Sequence, residues 1–180
     1  MAFELVFLQW IQDNVVCHWL TTIMQMFTNL GNSAIIWIVA IAALLIFKKT
    51  RKYGFMAALA LLINLLICNA ILKPLIDRPR PFTKVAIDLL VAQPGPHSFP
   101  SGHTSSAFAV ATVIFFWSKP WGVPALFIGA LTAFSRMYFF LHYPTDILGG
   151  LIVGIGSAFI AKALVEYYSK NKLGSTSGNA

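Results

Sequence analysis

The sequence predicts an all-α polytopic bundle of membrane helices, and three observations carry that reading. Hydrophobic residues make up 58% of the chain and charged residues 11%, against about 45–50% and about 25% in soluble domains. Its apolar runs are separated by short stretches in which lysine, arginine and proline are concentrated. The basic residues also fall unevenly between alternate connections, as they do in chains that cross a bilayer repeatedly. At 180 residues the length is that of one domain by the usual roughly 100–200 residues. The chain is read as one membrane-embedded unit over 1–168, without internal repeat, followed by a disordered cytoplasmic tail over 169–180 that is polar and rich in Gly and Ser.

Residues 1–31 interleave bulky apolar side chains with Gln9, Gln12, Asp13, Asn14, His18, Gln25 and Asn29. That pattern suits one or two amphipathic helices lying at the membrane surface, and it lacks the basic start of a signal peptide. A first span runs from about Ser33 to Phe47 and ends at Lys48-Lys49-Thr50-Arg51-Lys52; a second runs from about Gly54 to Leu72 and stops at Lys73-Pro74. Asn64 and Asn69 are its polar exceptions, expected to hydrogen-bond to neighbouring helices. Six of the nine prolines lie between Lys73 and Pro100, so this segment is a structured loop and not a helix. A third span starts near Ser101 and ends by Trp117, with small residues in its first half that permit close packing. After a turn over Ser118–Gly122, a fourth covers about Val123 to Phe140 and a fifth about Thr145 to Tyr168, where Gly150 and Gly154 form a packing face. Five transmembrane helices are expected, or six if the N-terminal segment crosses.

The net charge of +7 would fit a nucleic-acid binder, but the placement of the charges argues against one. Lys48, Lys49, Arg51, Lys52, Lys119, Lys162, Lys170 and Lys172 flank apolar runs on one side, whereas Lys73, Arg78, Arg80, Lys84 and Arg136 fall in connections on the other. The first set is taken as cytoplasmic with the C-terminus, which puts the proline-rich loop, the start at Ser101 and the junction around His142 together on the outer face of the plasma membrane. Cys17 and Cys68 sit in apolar surroundings and are read as buried hydrophobes, with neither a disulfide nor a metal site.

Three clusters share that outer side. In Phe99-Pro100-Ser101-Gly102-His103-Thr104 unpaired amides at a helix start favour an oxyanion, and Gly102 lets it approach the backbone. In Lys73-Pro-Leu-Ile-Asp77-Arg78-Pro-Arg80-Pro81 the prolines hold the chain extended. Arg78 and Arg80 are read as pointing in opposite directions, so that only one of them faces a shared pocket. In Ser135-Arg136-Met-Tyr-Phe-Phe-Leu-His142-Tyr-Pro-Thr-Asp146, an arginine among aromatic residues is costly near a bilayer unless it faces the bundle interior. Pro144 suits a first helical turn, so Asp146 can turn back towards His142 and leave the other ring nitrogen as a nucleophile or base.

Together these clusters resemble the three-part phosphatase signature of the PAP2 (type 2 phosphatidic acid phosphatase) superfamily, intact and in order, with a resemblance that covers roughly residues 30–168. It implies a metal-independent phosphatase in which His142 accepts the phosphoryl group, Asp146 orients it and His103 protonates the leaving oxygen. Lys73, Arg80, Ser101, Gly102 and Arg136 match phosphate-holding positions. One departure is the beginning, since many membrane members have an additional first span that residues 1–31 replace poorly.

The residues agree with that chemistry on their own account. Lys73, Arg80 and Arg136 can neutralise a phosphate dianion, while a binuclear metal site would need clustered carboxylates or histidines beyond what Asp77, Asp88, His97 and the histidines already assigned supply. No cofactor is expected, and His97 reads as a residue at the lip of the substrate site. The expected partners are the bilayer and a membrane lipid phosphate or pyrophosphate, such as undecaprenyl pyrophosphate, phosphatidylglycerophosphate or phosphatidic acid. A lipid phosphotransferase using the same histidine is the rival within enzymes, and a transporter lined by the intramembrane charges is the rival outside them. Oligomeric state has no signature in the sequence.

Overall fold

The computed structural model describes the backbone of residues 2–177 and the side chains of all of these except 33 and 172–177. Every regular element among the described residues is helical. The N-terminal segment forms two short helices, α1 (Ala2–Asn14) and α2 (His18–Leu30). At 13 residues each they are about 20 Å long, too short to cross a hydrocarbon core of about 30 Å alone. A single 3₁₀ turn (Asn32–Ala34) leads into α3 (Ile35–Ile46).

The next helix begins as α4 (Arg51–Leu65), widens into a π-helical stretch (Leu66–Leu72) and closes with the one-turn α5 (Lys73–Ile76). Together they make a continuous rod of 26 residues. Asp77 ends it in the left-handed conformation (φ 43°). Residues 77–101 follow as the expected proline-rich loop, irregular except for a 3₁₀ turn at Pro81–Thr83 and an isolated bridge between Pro79 and His97. Then come α6 (Gly102–Trp117), α7 (Lys119–Tyr138) and α8 (Pro144–Ser177).

By length and composition Arg51–Ile76 and Pro144–Asn171 suffice to cross a membrane, and α2 with α3 makes a third if the pair, bent by 55°, is one broken span. The sequence suggested more. The difference is clearest at α6, whose 16 residues extend about 24 Å. This helix is the axis of the bundle, packed against α4, α7 and α8, and it is buried continuously from Thr104 to Ile114. Its run of Ser and Ala side chains is what lets three neighbours approach at once. Gly150 and Gly154 of α8 lie against it as the sequence suggested: a Cβ at 150 would come 2.7 Å from the Ser101 carbonyl oxygen, and one at 154 would collide with that of Ser105. Asn64 Nδ2 donates to Ser106 Oγ (3.2 Å) from α4, as expected, while Asn69 is exposed.

Two departures from the expected elements have simple causes. The stretch read as a turn into the fourth span belongs to α7, because Pro120 falls in the first turn, where a missing N–H costs nothing. Gly122 is needed there for contact with α6, since a Cβ would overlap the backbone of Phe115. Beyond Tyr168 the polar residues expected to be disordered continue α8 as far as Ser177; residues 178–180 lie outside the described ones.

Alternating helix directions bring the two kinds of connection to opposite ends. Lys52, Lys119 and Lys162 gather around a cavity of about 280 Å³ with Glu166 at one end, and all the clusters singled out for chemistry lie at the other. The core divides likewise. One part joins Trp37, Ile41, Met56, Ala60, Val110 and Ala158 between the long helices. A second packs Leu8 and Ile11 of α1 and Met24 of α2 against Tyr138–Leu141 and Tyr143, directly under the chemical end.

Candidate active site

Six of the eight residues singled out from the sequence line one cavity of about 230 Å³: Lys73, Arg80, Gly102, His103, Arg136 and His142, together with the loop residues Pro94–His97. Lys73 arrives at the end of the π-helical stretch, a widening of the helix that recurs at functional sites. Gly102 leaves the floor open in front of it, since a Cβ there would stand 3.4 Å from Lys73 Nζ.

Arg80 and Arg78 diverge, although residues two apart on a flat strand would share a face, and Arg80 alone of the two lines the cavity. Its Nε donates to the Gly95 carbonyl (2.6 Å) and its Nη1 to the Leu141 carbonyl (2.9 Å). Nη1 also meets His142 Nε2 at 3.1 Å. A guanidinium can only donate, so Nε2 accepts and the His142 ring carries its proton on Nδ1. Burial lowers the Arg80 pKa to about 10, against the opposing pull of Asp146, which leaves it charged at neutral pH.

His142 stands on the connection between α7 and α8. That turn is made by Phe140, whose left-handed backbone (φ 57°) is uncommon for a bulky residue and is held by burial of its ring. The amides of Leu141 and His142 both return to the Arg136 carbonyl (3.0 and 3.3 Å). His142 is 2% exposed, and burial, helped by the charges of Arg80 and Arg136, pushes its pKa down to about 3 although Asp146 pulls the other way. The ring is therefore neutral at physiological pH.

Asp146 does not line the cavity but sits behind His142, completely buried. Its Oδ2 is 3.4 Å from His142 Nδ1, near enough to attract but not aligned as a hydrogen bond. The same oxygen accepts from Ser98 Oγ (2.5 Å) and the Tyr143 amide (2.8 Å). Ser101 is also withdrawn. Its hydroxyl caps α6, accepting from the Thr104 amide (3.4 Å) and Thr104 Oγ1 (2.9 Å), and its amide donates to the Asp146 carbonyl (3.0 Å). Its place in the site is to tie the starts of α6 and α8 together.

His103 and Arg136 reach the cavity with help that the sequence did not reveal. His103 Nε2 meets Asn32 Oδ1 at 3.0 Å, in the break between α2 and α3. Gly31 is required beside it, because a Cβ there would come 2.6 Å from His103 Cδ2. Arg136, 4% exposed, donates from Nη1 to Thr28 Oγ1 of α2, while its Nε is buried without a partner among the described residues. His97 stands at the cavity wall as expected, with Nδ1 2.8 Å from Asp77 Oδ1. Among the described residues no three His, Cys, Asp or Glu side chains converge as a metal site would require.

The geometry is that of an anion cradle: three cations, an open glycine and two imidazoles face one small space. A profile of the PAP2 superfamily matches residues 49–170. The chain is 34% identical over 112 residues to the undecaprenyl-diphosphatase BcrC of Bacillus subtilis, an alignment covering 62% of this chain and 58% of that protein. It is 31% identical over 162 residues to phosphatidylglycerophosphatase B of the same organism, covering 82% and 76%. It thus spans about three fifths of the length of the first relative and three quarters of the second. The crystal structure of Aquifex aeolicus LpxE superposes with a TM-score of 0.78 at 26% identity, covering 91% of this chain and 96% of that one.

Proposed function

The chain belongs to the PAP2 superfamily, and we propose from that premise that it is a metal-independent hydrolase of membrane lipid phosphates or pyrophosphates, working through a phosphohistidine at His142. The observation that carries the reading is the convergence of Lys73, Arg80, Arg136, His103 and His142 on one cavity, with Asp146 behind the His142 ring. Its 230 Å³ is below the roughly 300–1,000 Å³ of pockets that enclose whole drug-sized ligands, which suits a phosphate headgroup whose lipid chain stays outside.

His142 attacks phosphorus with the Nε2 lone pair that Arg80 now holds, and the bond from phosphorus to the leaving oxygen breaks as the P–N bond forms. The ring becomes cationic at that moment, and the Asp146 carboxylate is placed to stabilise it. Lys73, Arg80 and the free Nε of Arg136 take the equatorial oxygens. His103 gives a proton to the departing oxygen where that oxygen needs one, and a water that yields its own proton to His103 then cleaves the P–N bond to release phosphate. The names of the relatives support undecaprenyl pyrophosphate and phosphatidylglycerophosphate as substrates, with phosphatidic acid third.

Purified protein in detergent is expected to release phosphate from at least one of these three lipids, to keep doing so after prolonged EDTA treatment, and to be inhibited by vanadate, which takes up a five-coordinate geometry. Loss of activity on chelation that magnesium or zinc restores would defeat the histidine route. The site is assigned to the outer face of the plasma membrane, with the C-terminus cytoplasmic, because the basic cavity lies at the opposite end of the bundle. In a variant lacking Cys17 and Cys68, Ala86→Cys is expected to react with an impermeant thiol reagent in intact cells and Lys49→Cys to stay unlabelled. Both positions are exposed, so the reverse pattern would place the site in the cytoplasm.

A further inference from the structure

We propose that Glu4 and Arg78 are positioning residues for the reaction, so that α1 is part of the catalytic apparatus. The inference rests on the reading of His142 as nucleophile with Asp146 as its partner. Arg78 bridges two carboxylates from distant parts of the chain. Its Nη1 donates to Asp146 Oδ1 (2.6 Å) and to Thr145 Oγ1 (2.6 Å), and its Nη2 donates to Glu4 Oε2 (2.6 Å). The guanidinium carbon lies over the Tyr143 ring, 4.0 Å from its centroid. Glu4 Oε1 accepts in turn from Thr145 Oγ1 (2.5 Å) and from the Thr145 amide (3.3 Å). Its carboxylate therefore also sits at the positive start of α8, the turn that carries Asp146. Although burial raises the Glu4 pKa, the hydrogen bonds from Thr145 and the charge of Arg78 outweigh it and hold the group below the usual carboxylate range.

This arrangement fixes which oxygen Asp146 presents. With Oδ1 taken by Arg78 and Oδ2 held by Ser98 and the Tyr143 amide, the carboxylate cannot rotate, and Oδ2 is the oxygen beside His142 Nδ1. Glu4 anchors the bridge: with Nη2 on Glu4 Oε2 and Nη1 on Asp146 Oδ1, the guanidinium is held in one orientation against the Asp146 carboxylate. The sequence of α1 delivers this carboxylate reproducibly. Glu4, Leu8 and Ile11 fall on one helical face, Leu8 and Ile11 are buried in the second core, and Gln12 Nε2 donates to the Tyr138 carbonyl (2.7 Å). Phe3, Phe7 and Trp10 occupy the other face, exposed.

The test is a double-mutant cycle read as kcat and KM for phosphate release from undecaprenyl pyrophosphate and from phosphatidic acid. Arg78→Ala is expected to lower kcat about 10- to 100-fold, as loss of a charged hydrogen bond does, with little change in KM. Added guanidinium should restore much of that loss, and ammonium at equal concentration should not. Arg78→Lys, which keeps the charge but not the two-carboxylate fork, should remain impaired in kcat and guards against misfolding of the alanine variant. Glu4→Gln should cost about 10-fold and add almost nothing on top of Arg78→Ala, because residues acting through one another are not additive. Additive losses, a loss confined to KM, or no response to guanidinium would overturn the inference while leaving the effect of His142→Ala as it stands. A His142→Ala protein with wild-type turnover would overturn the underlying reading, and this inference with it.

Discussion

His142→Ala is expected to abolish phosphate release from monoester and pyrophosphate lipids alike, by roughly 10⁴-fold or more, as removal of a covalent nucleophile does elsewhere. The ring contributes an unprotonated nitrogen that faces the cavity, held there by Arg80 at 3.1 Å. His103 is engaged by Asn32, His97 by Asp77, and Lys73, Arg80 and Arg136 of the wall are cations. Because every lipid must pass through the same attack on phosphorus, the loss is expected to be the same for each. Single-turnover assays with both substrate types decide the matter. A selective loss, large for one type and small for the other, would mean that His142 serves the leaving group instead.

His103→Ala should behave differently, and that asymmetry is the second large effect. A general acid contributes about 10²- to 10⁴-fold, but only where the departing oxygen needs a proton. The alkoxide leaving phosphatidic acid is strongly basic and needs one, whereas the lipid phosphate leaving undecaprenyl pyrophosphate departs as a stable anion. kcat/KM for the monoester should fall by about that factor and for the pyrophosphate by far less, provided chemistry limits the rate. Asn32 fixes the tautomer of that ring: its carbonyl oxygen, 3.0 Å from Nε2, can only accept, so Nε2 carries a hydrogen. Equal losses on both lipids would mean that His103 mainly binds phosphate.

The sequence showed the chemical residues better than the shape that holds them. Lys73, Arg80, Gly102, His103, Arg136 and His142 could be placed together because proline fixes backbone direction, glycine marks close approach, and a charge among apolar residues needs an interior partner. The choice of Arg80 over Arg78 rested on the spacing from Lys73 in the signature that the sequence resembles, because alternation along an extended chain puts residues two apart on one face. Ser101 and Asp146 were assigned to the same constellation, and the structure puts them one layer back, where a cap and a buried carboxylate belong. Glu4, Thr28, Asn32 and Ser98 were invisible for a common reason: each is a small polar residue in an unremarkable local context, and its importance comes from a contact made across 48 to 141 positions of chain. The start of α7 was missed because Pro and Gly signal a turn locally, while here proline fits a first helical turn and glycine answers to Phe115.

The contact of Gly150 and Gly154 with the backbone of α6 divides the mouth of the cavity into unequal halves. Main chain packs against main chain and the Ser101 amide is bonded to the Asp146 carbonyl, so sliding of α6 against α8 is resisted beside His103. The opposite wall is of another kind, made by the proline-rich loop at Pro94–His97 and by the α2–α3 break that carries Asn32. Adjustment to a substrate headgroup is therefore expected on the loop side, with the junction of α6 and α8 as the fixed reference.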